Sequence, residues 1–340
     1  NAISSLNSLQ SNSSVLQDSV QRAHNDENKH IKDTLKYLMR VGVSLDQLAK
    51  LSVVHVSGTK GKGSTCAMVE SILRSNGFRT GFFSSPHLVS VTERVRLNGV
   101  PISNDKFSQY FWRIFNKLNV SREHAKDMPS YFSFLTILAL DVFIREGVDV
   151  CVMEVGIGGR YDCTNVLQNT GTIGITSLGL EHTKLLGNTL DKIAWQKAGI
   201  IKHGSDVFTV PQDADCMEVI REECRLLKAN LFVVPPRLNV YQWAKQPQLL
   251  KETCNIVELN TSLAIQIATS WINKIRSGTS QKSLPFLVTE PTVDGIDSCF
   301  WPGRLQRIFY DTKKNLFLDG AHTVESIELC AHWFKTKSSR

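Results

Sequence analysis

Short apolar runs alternate with stretches of helical periodicity along most of the chain. The apolar runs predict buried strands at residues 53–56, 80–83, 95–97, 148–155, 172–177, 207–210 and 231–234. Apolar positions three and four residues apart predict helices at residues 29–41, 63–75, 107–118, 132–144, 190–200, 217–227 and 260–275. Strands that alternate with helices indicate an α/β fold with a doubly wound, mostly parallel sheet.

The same pattern divides the chain into four parts. Residues 1–25 are rich in Ser, Asn and Gln and are predicted to be loosely ordered. Residues 26–276 carry the alternating strands and helices. Residues 277–300, richer in Gly, Ser, Thr, Pro and Asp, are predicted to be a domain linker. Residues 301–340 begin a second α/β domain, although a segment of about 40 residues cannot bury a sizeable core alone. The elements predicted there are strands at 305–310 and 315–318 and a helix from Thr323.

Composition narrows the classes of function only slightly. The 340 residues carry a formal net charge of +7, with 42% hydrophobic and 21% charged residues. The Lys and Arg residues are spread along the chain rather than clustered, which disfavours nucleic acid as a partner. No apolar run approaches the length of a membrane span. The eight Cys residues show no zinc-type spacing and are predicted to be free thiols in a reducing compartment.

A glycine-rich loop follows the first predicted strand. Residues 58–64, which we call the glycine loop, read Gly-Thr-Lys-Gly-Lys-Gly-Ser. They fail the general phosphate-loop pattern twice, because Val56 holds the first glycine position and Gly63 the hydroxyl position after Lys62. A strand, a glycine loop and then a helix still suit phosphate binding, since backbone N–H groups at a helix N-terminus attract anions. The alternative is a tight turn that carries surface lysines.

Three polar side chains lie at the ends of other predicted strands. Ser85 follows the second strand, Glu154 lies near the end of strand 148–155, and His182 follows the next strand. Ligands of open α/β sheets collect at the carboxyl ends of the strands, so these residues could hold Mg²⁺ beside bound phosphates. The alternative is an N-capping serine, a solvated glutamate and an ordinary loop histidine.

Four residues nearer the C-terminus are also candidates. Lys197 lies on a predicted helix with few other charges nearby, although a helical lysine is usually a solvated surface group. Arg304 follows a Pro-Gly turn at the predicted domain junction. Asp319 and His322 flank a strand-to-helix turn.

Taken in order, these segments resemble the folylpolyglutamate synthase family of Mur-type ATP-dependent amide ligases, from about Asn28 to the end. The resemblance rests on residues 58–64, 83–88, 154–165, 182–187, 195–199, 301–304 and 319–322. The sequences Tyr161-Asp162-Cys163-Thr164-Asn165 and Trp195-Gln196-Lys197 are similar to the eukaryotic branch. The resemblance implies a Mur-ligase-like, ATP-binding domain at 26–276, followed by the start of a second, Rossmann-like domain.

The chemistry of this family implies a three-substrate reaction. ATP phosphorylates the terminal carboxylate of a reduced folate, and the amine of L-glutamate attacks the acyl phosphate. The tetrahedral intermediate collapses to an amide, ADP and phosphate. Such a site must neutralise the transferring phosphate and position all three substrates. The resemblance implies ATP and Mg²⁺ as cofactors, with a monovalent cation such as K⁺ as a further candidate.

The resemblance also implies roles for individual residues. ATP contacts are implied at Gly58, Thr59, Lys60, Gly61, Lys62, Gly63, Ser64, Asn260, Arg304, Asp319 and His322. Metal ligands are implied at Ser85, Glu154 and His182, catalytic roles at Lys62, Lys197 and His182, and folate contacts at Ser84, Pro86, His87 and Leu88. Lys197 matches a lysine that is carbamylated in the family, which converts a cation into an anion. Ser85 would then replace the hydroxyl that is missing after Lys62.

Three features depart from the family pattern. Ile256 and Val257 stand where a His-Gln pair precedes Asn260, which weakens the expected adenine contact. Glu181 stands where Asp is usual beside the metal-binding histidine. The C-terminal domain of the family is represented only by its first strands and helix, so we expect a truncated ligase.

Two other functions stay open. A dihydrofolate synthase would join glutamate to dihydropteroate, and the truncation suggests a nucleotide-binding remnant without catalysis. The expected partners are small molecules, without nucleic acid and without a membrane span. The chain is expected to be a monomer in the cytoplasm, the mitochondrion or both.

Overall fold

A central eight-stranded sheet organises the protein. The computed structural model describes residues 1–10, 29–251, 254–278, 282–309, 315–322 and 324–338. The strands of the sheet are β1 (Val53–Ser57), β2 (Thr80–Phe83), β3 (Val95–Leu97), β4 (Val100–Pro101), β5 (Val150–Glu154), β6 (Thr172–Ile175), β7 (Asp206–Thr209) and β8 (Asn230–Val233). Their order is β4-β3-β2-β5-β1-β6-β7-β8. All neighbours from β2 to β8 pair in parallel, whereas β3 and β4 extend the β2 edge in antiparallel.

Helices and two small sheets complete the fold. The helices are α1 (Ala2–Asn7), α2 (Lys29–Val41), α3 (Leu45–Lys50), α4 (Lys62–Ser75), α5 (Asn104–Val120), α6 (Tyr131–Glu146), α7 (Thr183–Leu186), α8 (Leu190–Ala198), α9 (Ala214–Leu226), α10 (Asn255–Ser277), α11 (Glu290–Asp297) and α12 (Val324–Ser338). The parallel pair is β9 (Gln242–Trp243) with β10 (Leu287–Val288), and the antiparallel pair is β11 (Gln306–Phe309) with β12 (Asn315–Leu318). A search of the described residues finds no helix that combines the length and hydropathy a bilayer span requires.

Helices cover both faces of the sheet because successive residues of a strand point to opposite sides. Val53 of β1 packs in a core cluster with α1, α2, α3, α5 and α6. Val54 and Val56 point the other way and pack with α4, α10 and α11. A third cluster joins α8 and α9 to β6 and β7. Strands buried on both faces read as continuous apolar runs, which explains the sequence pattern.

The topology brings several loops to one edge of the sheet. β1 lies between β5 and β6, so the chain passes from one side of β1 to the other when it continues from β5 to β6. Because β1, β2, β5 and β6 run in parallel, their carboxyl ends meet at this edge. A reversal of strand order of this kind opens a crevice where α/β proteins bind ligands.

The predicted fold class is confirmed, and the structure refines the elements. The strand predicted at 148–155 is confined to Val150–Glu154, and the helix predicted at 260–275 extends over Asn255–Ser277. The sequence pattern did not reveal α3 or α7. Within the segment predicted to be loosely ordered, Ala2–Asn7 is helical, because fully buried Leu6 packs in the core. Residues 11–25, Tyr310 and Thr323 lie outside the described residues.

The segment predicted as a linker contains packed secondary structure. Within residues 277–300, β10 pairs with β9, and α11 lies against α4. A Cβ added at Gly295 of α11 would collide with Ile72 Cα and lie 2.8 Å from Ile72 N. The two helix backbones are therefore in direct contact there. The division into domains itself stays a prediction.

Replacing Gly295 tests this contact. We expect Gly295→Ala to lower the free energy of unfolding by roughly 1–3 kcal/mol, because the methyl group forces α11 away from α4. The intrinsic gain in helix propensity from Gly to Ala, about 1 kcal/mol, acts in the opposite direction. The matched control is Gly179→Ala, where the nearest atom would lie 3.9 Å from the new Cβ. Urea unfolding of both variants measures the effect. Equal urea midpoints for the two variants would contradict the close packing of α11 on α4.

Candidate functional site

A cavity of about 1530 Å³ opens at the carboxyl ends of β1, β2, β5 and β6. Most of the predicted site residues line it. They are Thr59, Lys60, Gly61, Lys62, Gly63, Ser64, Ser85, Pro86, Glu154, His182, Asn260, Arg304, Asp319 and His322. The structure thus brings together residues that are up to 263 positions apart in the chain, from Thr59 to His322.

The glycine loop lies against β6 and leads into α4. The N–H groups of Thr59 and Lys60 both donate to the carbonyl oxygen of Ser177, at 2.9 and 3.1 Å. Gly61 caps α4 in the left-handed region, at φ 87°, and Thr65 N–H makes the first helical bond back to its carbonyl. The N–H groups of Lys62, Gly63 and Ser64, in the first turn of α4, have no acceptor within the helix. This end of the helix is therefore suited to bind an anion.

Two positions of this loop require glycine, because neighbouring side chains come very close to the loop backbone there. Gly58 has φ 145°, and a Cβ there would collide with Oγ1 of Thr176, the residue directly after β6. A Cβ at Gly61 would lie 2.5 Å from Asn260 Oδ1 of α10. Asn260 is buried, and its Oδ1 has no hydrogen-bond partner within the described residues. The amide is therefore held against the loop with an acceptor still to be satisfied.

Two lysines converge on the carbonyl oxygen of Gly58. Lys197 Nζ donates to it at 2.7 Å and Lys62 Nζ at 3.1 Å. Lys197 is only 2% exposed, so the prediction of a solvated surface lysine does not apply. Burial, and secondarily the charge of Lys62, lowers the pKa of Lys197 to about 7. A substantial fraction of Lys197 is therefore a neutral, nucleophilic amine near neutral pH. Lys197 and Gly58 lie behind the loop and do not line the cavity.

Glu154 is a buried carboxylate beside the glycine loop. A Cβ at Gly63 would lie 3.4 and 3.5 Å from its two carboxylate oxygens, and Ser85 N–H donates to Glu154 Oε2 at 3.0 Å. Burial raises the pKa of Glu154, whereas the charges of Lys62 and Arg304 oppose this shift. A buried carboxylate with few donors favours a cation as a neighbour.

His182 completes the predicted metal set at the start of α7. It adopts a left-handed backbone conformation, φ 51°. Burial lowers its pKa, and the nearby charges of Lys197, Lys62 and His322 lower it further against the opposing charge of Glu181. The carboxylate and hydroxyl of Glu154 and Ser85 fit a hard cation such as Mg²⁺, and imidazole is an unusual addition to them. The described residues contain no group of three or more His, Cys, Asp or Glu suited to a metal.

The C-terminal candidates face the same cavity from the other side. Arg304 Nη1 donates to the carbonyl oxygen of Gly303 at 3.0 Å. Asp319 Oδ2 accepts from Leu305 N–H at 2.7 Å, and the imidazole Nδ1 of His322 lies 2.8 Å from the carbonyl oxygen of Gly320. Arg304 and Asp319 are half-buried and His322 is exposed, so each can still contact a ligand.

The predicted folate residues are placed less uniformly. Of the four, only Pro86 lines the main cavity. Pro86, Ser84 and Leu88 border a small adjoining cleft that also contains Arg304. His87 lines neither the cavity nor the cleft and accepts from Arg94 Nε at 2.8 Å.

Three residues that sequence reasoning left without a role also shape the site. Asp162 is buried and accepts from Ile157 N–H at 3.1 Å and Thr164 N–H at 2.9 Å, which holds the loop after β5. The guanidinium of Arg94 lies 5.4 Å from the ring centre of Tyr131, which lines the cavity. The local sequence does not mark Tyr131 as a site residue, because Tyr131 reaches the cavity only through the packing of α6. Asp162 stood within a segment that already carried the resemblance.

Comparison with known proteins gives consistent findings. The chain is 41% identical to the mitochondrial folylpolyglutamate synthase of Homo sapiens, over 98% of this chain and 59% of that protein. It is 39% identical to the probable folylpolyglutamate synthase of Schizosaccharomyces pombe, over 99% of this chain and 67% of that protein. No protein-family model matches the chain. The chain thus spans 59% of the length of the mammalian relatives it matches.

Solved structures show the same likeness. An FPGS–AMPPCP–folate complex has a TM-score of 0.77 and 25% identity, over 92% of this chain and 77% of that one. A Mycobacterium tuberculosis folylpolyglutamate synthase complexed with ADP and AMPPCP has a TM-score of 0.70 and 26% identity, over 88% of this chain and 70% of that one.

The buried Lys197 predicts a pH dependence of stability. Its pKa is about 7 in the folded protein and about 10.4 in an unfolded chain. Above pH 7 the unfolded state therefore binds more protons, so stability attributable to this site rises with pH. Relative to Lys197→Met, we expect the native chain to gain on the order of 2 kcal/mol between about pH 7 and pH 9.

Denaturant unfolding across this pH range measures the effect. Lys184→Met, at an exposed position, is the matched control and should follow the pH dependence of the native chain. Identical pH slopes for the native chain and Lys197→Met would contradict the depressed pKa.

Proposed function

The chain belongs to the folylpolyglutamate synthase family, and we propose that it acts as an ATP-dependent ligase. The reaction would add L-glutamate to the terminal glutamate carboxylate of a tetrahydrofolate through an acyl phosphate. One observation carries the proposal: the glycine loop, the buried Glu154 and the buried Lys197 meet at one end of the sheet. This arrangement supplies anion-binding N–H groups, the Lys62 cation and a carboxylate at the cavity, with Lys197 directly behind the glycine loop.

The glycine loop would bind the phosphates of ATP. The first-turn N–H groups of α4 provide donors, and the Lys62 ammonium, which now donates to the Gly58 carbonyl, provides a charge that can swing toward the terminal phosphates. Asn260, whose Oδ1 has no partner among the described residues, would contact the nucleobase although Ile256 and Val257 replace the usual pair. Arg304, Asp319 and His322 would contact the nucleotide from the opposite wall.

Glu154, Ser85 and His182 would hold Mg²⁺ at the same end of the cavity. Bound Mg²⁺ supplies charge neutralisation of the transferring phosphate. Ser85 N–H already orients Glu154 by its bond to Oε2. Glu154 would remain ionised with a cation beside it, because an opposite charge counteracts the effect of burial on its pKa.

Lys197 would be modified by carbon dioxide to a carbamate. A neutral amine is the reactive form, and the pKa of about 7 makes that form available near neutral pH. Carbamylation would place an anion beside the glycine loop, where it could hold a second cation such as K⁺. The 84–93 loop, which includes Ser84, Pro86, His87 and Leu88, would contact the folate.

Partners and location are part of the proposal. Small molecules would be the substrates, and the chain would act as a monomer without a nucleic-acid partner. Mammalian relatives carry the name mitochondrial folylpolyglutamate synthase, which supports a mitochondrial location. A cytoplasmic location is proposed beside it.

An incorporation assay tests the function. The chain is mixed with ATP, Mg²⁺ and labelled L-glutamate, with either tetrahydrofolate or dihydropteroate as acceptor. We expect incorporation into tetrahydrofolate, and a loss of about two orders of magnitude or more in Lys62→Ala, because a positioned charge on the phosphates is removed. Lys184→Ala, which removes an exposed lysine, is the control.

The outcomes separate three functions. Incorporation only into dihydropteroate would indicate a dihydrofolate synthase. ATP binding without any incorporation would indicate a non-catalytic nucleotide-binding protein. Incorporation that survives intact in Lys62→Ala would place the phosphates elsewhere.

The proposed metal site predicts that alanine substitution of two hydroxyl-bearing residues has different effects on activity. We expect Ser85→Ala to lower magnesium-dependent kcat/KM by roughly 10–100-fold. Thr65→Ala should have little effect, because Thr65 is fully buried in α4 and its Oγ1 does not reach the cavity. A magnesium titration of both variants makes the comparison. Equal effects would mean that the metal does not lie at Ser85.

A further inference from the structure

Trp301 occupies an unexpected position against the glycine loop. It begins the residues 301–304, which we call the junction turn, and it lines the main cavity. A Cβ added at Gly63 would lie only 3.3 Å from Trp301 Cζ2. The same Cβ would lie 3.4 Å from Glu154 Oε2. The glycine-loop backbone at Gly63 therefore lies close to both an indole edge and the buried carboxylate.

Two side chains, Arg96 and Phe82, pack against the indole of Trp301. The guanidinium of Arg96 lies 4.9 Å from the Trp301 ring centre, and the Phe82 ring centre lies 5.4 Å away. Arg96 is buried on β3 and donates to the carbonyl oxygens of Glu93, at 3.3 Å, and Gly99, at 3.4 Å. Because both of these neighbours are buried, a shift of the indole would disturb their packing.

The same turn contacts the 84–93 loop. A Cβ at Gly303, which has φ 68°, would lie 2.8 Å from Leu88 Cδ1. The Glu93 carboxylate accepts the N–H groups of Leu88 at 2.9 Å and Val89 at 3.0 Å. Because the Glu93 carbonyl oxygen accepts from Arg96, one chain of contacts runs from this loop through Arg96 and Trp301 to Gly63.

We propose that Trp301 is a positioning residue for nucleotide binding. Its indole edge sets the distance between the glycine-loop backbone and Glu154, and Arg96 keeps the indole in place. The inference rests on the proposed function, since the glycine loop must bind the phosphates of ATP. It goes beyond that function because it assigns to the junction turn a role in setting the geometry of the glycine loop.

A double-mutant cycle with Gly63→Ala and Trp301→Phe tests the inference. Gly63 lies in α4 without a left-handed φ, so alanine suits its backbone and only the new methyl contacts count. We expect Gly63→Ala alone to raise the Kd for ATP about tenfold, because the new methyl group crowds Trp301 Cζ2 and the loop must shift away from it. In the Trp301→Phe background the smaller ring leaves room, and the same change should raise the Kd less than about threefold.

The measurement is calorimetric titration with ATP and Mg²⁺, without folate or glutamate. Thermal unfolding of each variant verifies that it is folded. If Trp301→Phe does not fold, Arg96→Met replaces it, because releasing the indole should relieve the Gly63→Ala effect in the same way. Trp195→Phe is the matched control, since Trp195 also lines the cavity but supplies none of the three atoms nearest to a Cβ at Gly63, and it should leave the tenfold effect unchanged.

Each result decides the question. Equal Kd ratios for Gly63→Ala in the native, Trp301→Phe and Arg96→Met backgrounds would overturn the inference, and the proposed function would stand. Failure of the unaltered chain to bind ATP would overturn the proposed function and this inference with it. A smaller ratio in the Trp301→Phe or Arg96→Met background, but not with Trp195→Phe, supports the positioning role.

Discussion

Close approach of the glycine loop to its surroundings is the constraint on which the site depends. Gly58 faces Thr176 beyond β6, Gly61 faces Asn260 of α10, and Gly63 lies close to Trp301 and Glu154. Each glycine thus meets a different part of the molecule: the sheet, the long helix and the junction turn. Three separate packing surfaces fix one short backbone segment. A Cβ would collide with neighbouring atoms at Gly58 and Gly61, and at Gly63 it would require a shift of a few tenths of an ångström from Trp301.

The site also requires two ionisable groups of opposite charge, Lys197 and Glu154, to be buried beside this loop. Burial lowers the pKa of Lys197 to about 7 and raises the pKa of Glu154. In both cases burial destabilises the charged form relative to its stability in water, so the site works against folding. The core that offsets this cost lies in the apolar clusters on both faces of the sheet. Chemistry at the carboxyl ends therefore depends on strands that are apolar along almost their whole length.

The segment between the sheet and the C-terminal strands contributes to both requirements. Gly295 brings α11 into backbone contact with α4, the helix that the glycine loop begins. A few residues later the junction turn contacts the same loop and the 84–93 loop. Composition suggested a linker there because Gly, Pro and Ser are common in connections. In this protein the glycine at 295 permits tight helix packing instead.

Much of the fold and part of the site follow from local sequence alone. The apolar runs of β1, β5 and β6 and the periodic helices between them indicate an α/β sheet, because strands buried on both faces read as short continuous apolar runs. The glycine loop between a strand and a helix identifies an anion-binding helix end, because its physical cause is local. Other properties required the tertiary structure. The burial of Lys197, the packing of Trp301 on Gly63 and the placement of Tyr131 depend on contacts between segments far apart in the chain. Exposure and electrostatic environment are set by those distant neighbours, and no local pattern encodes them.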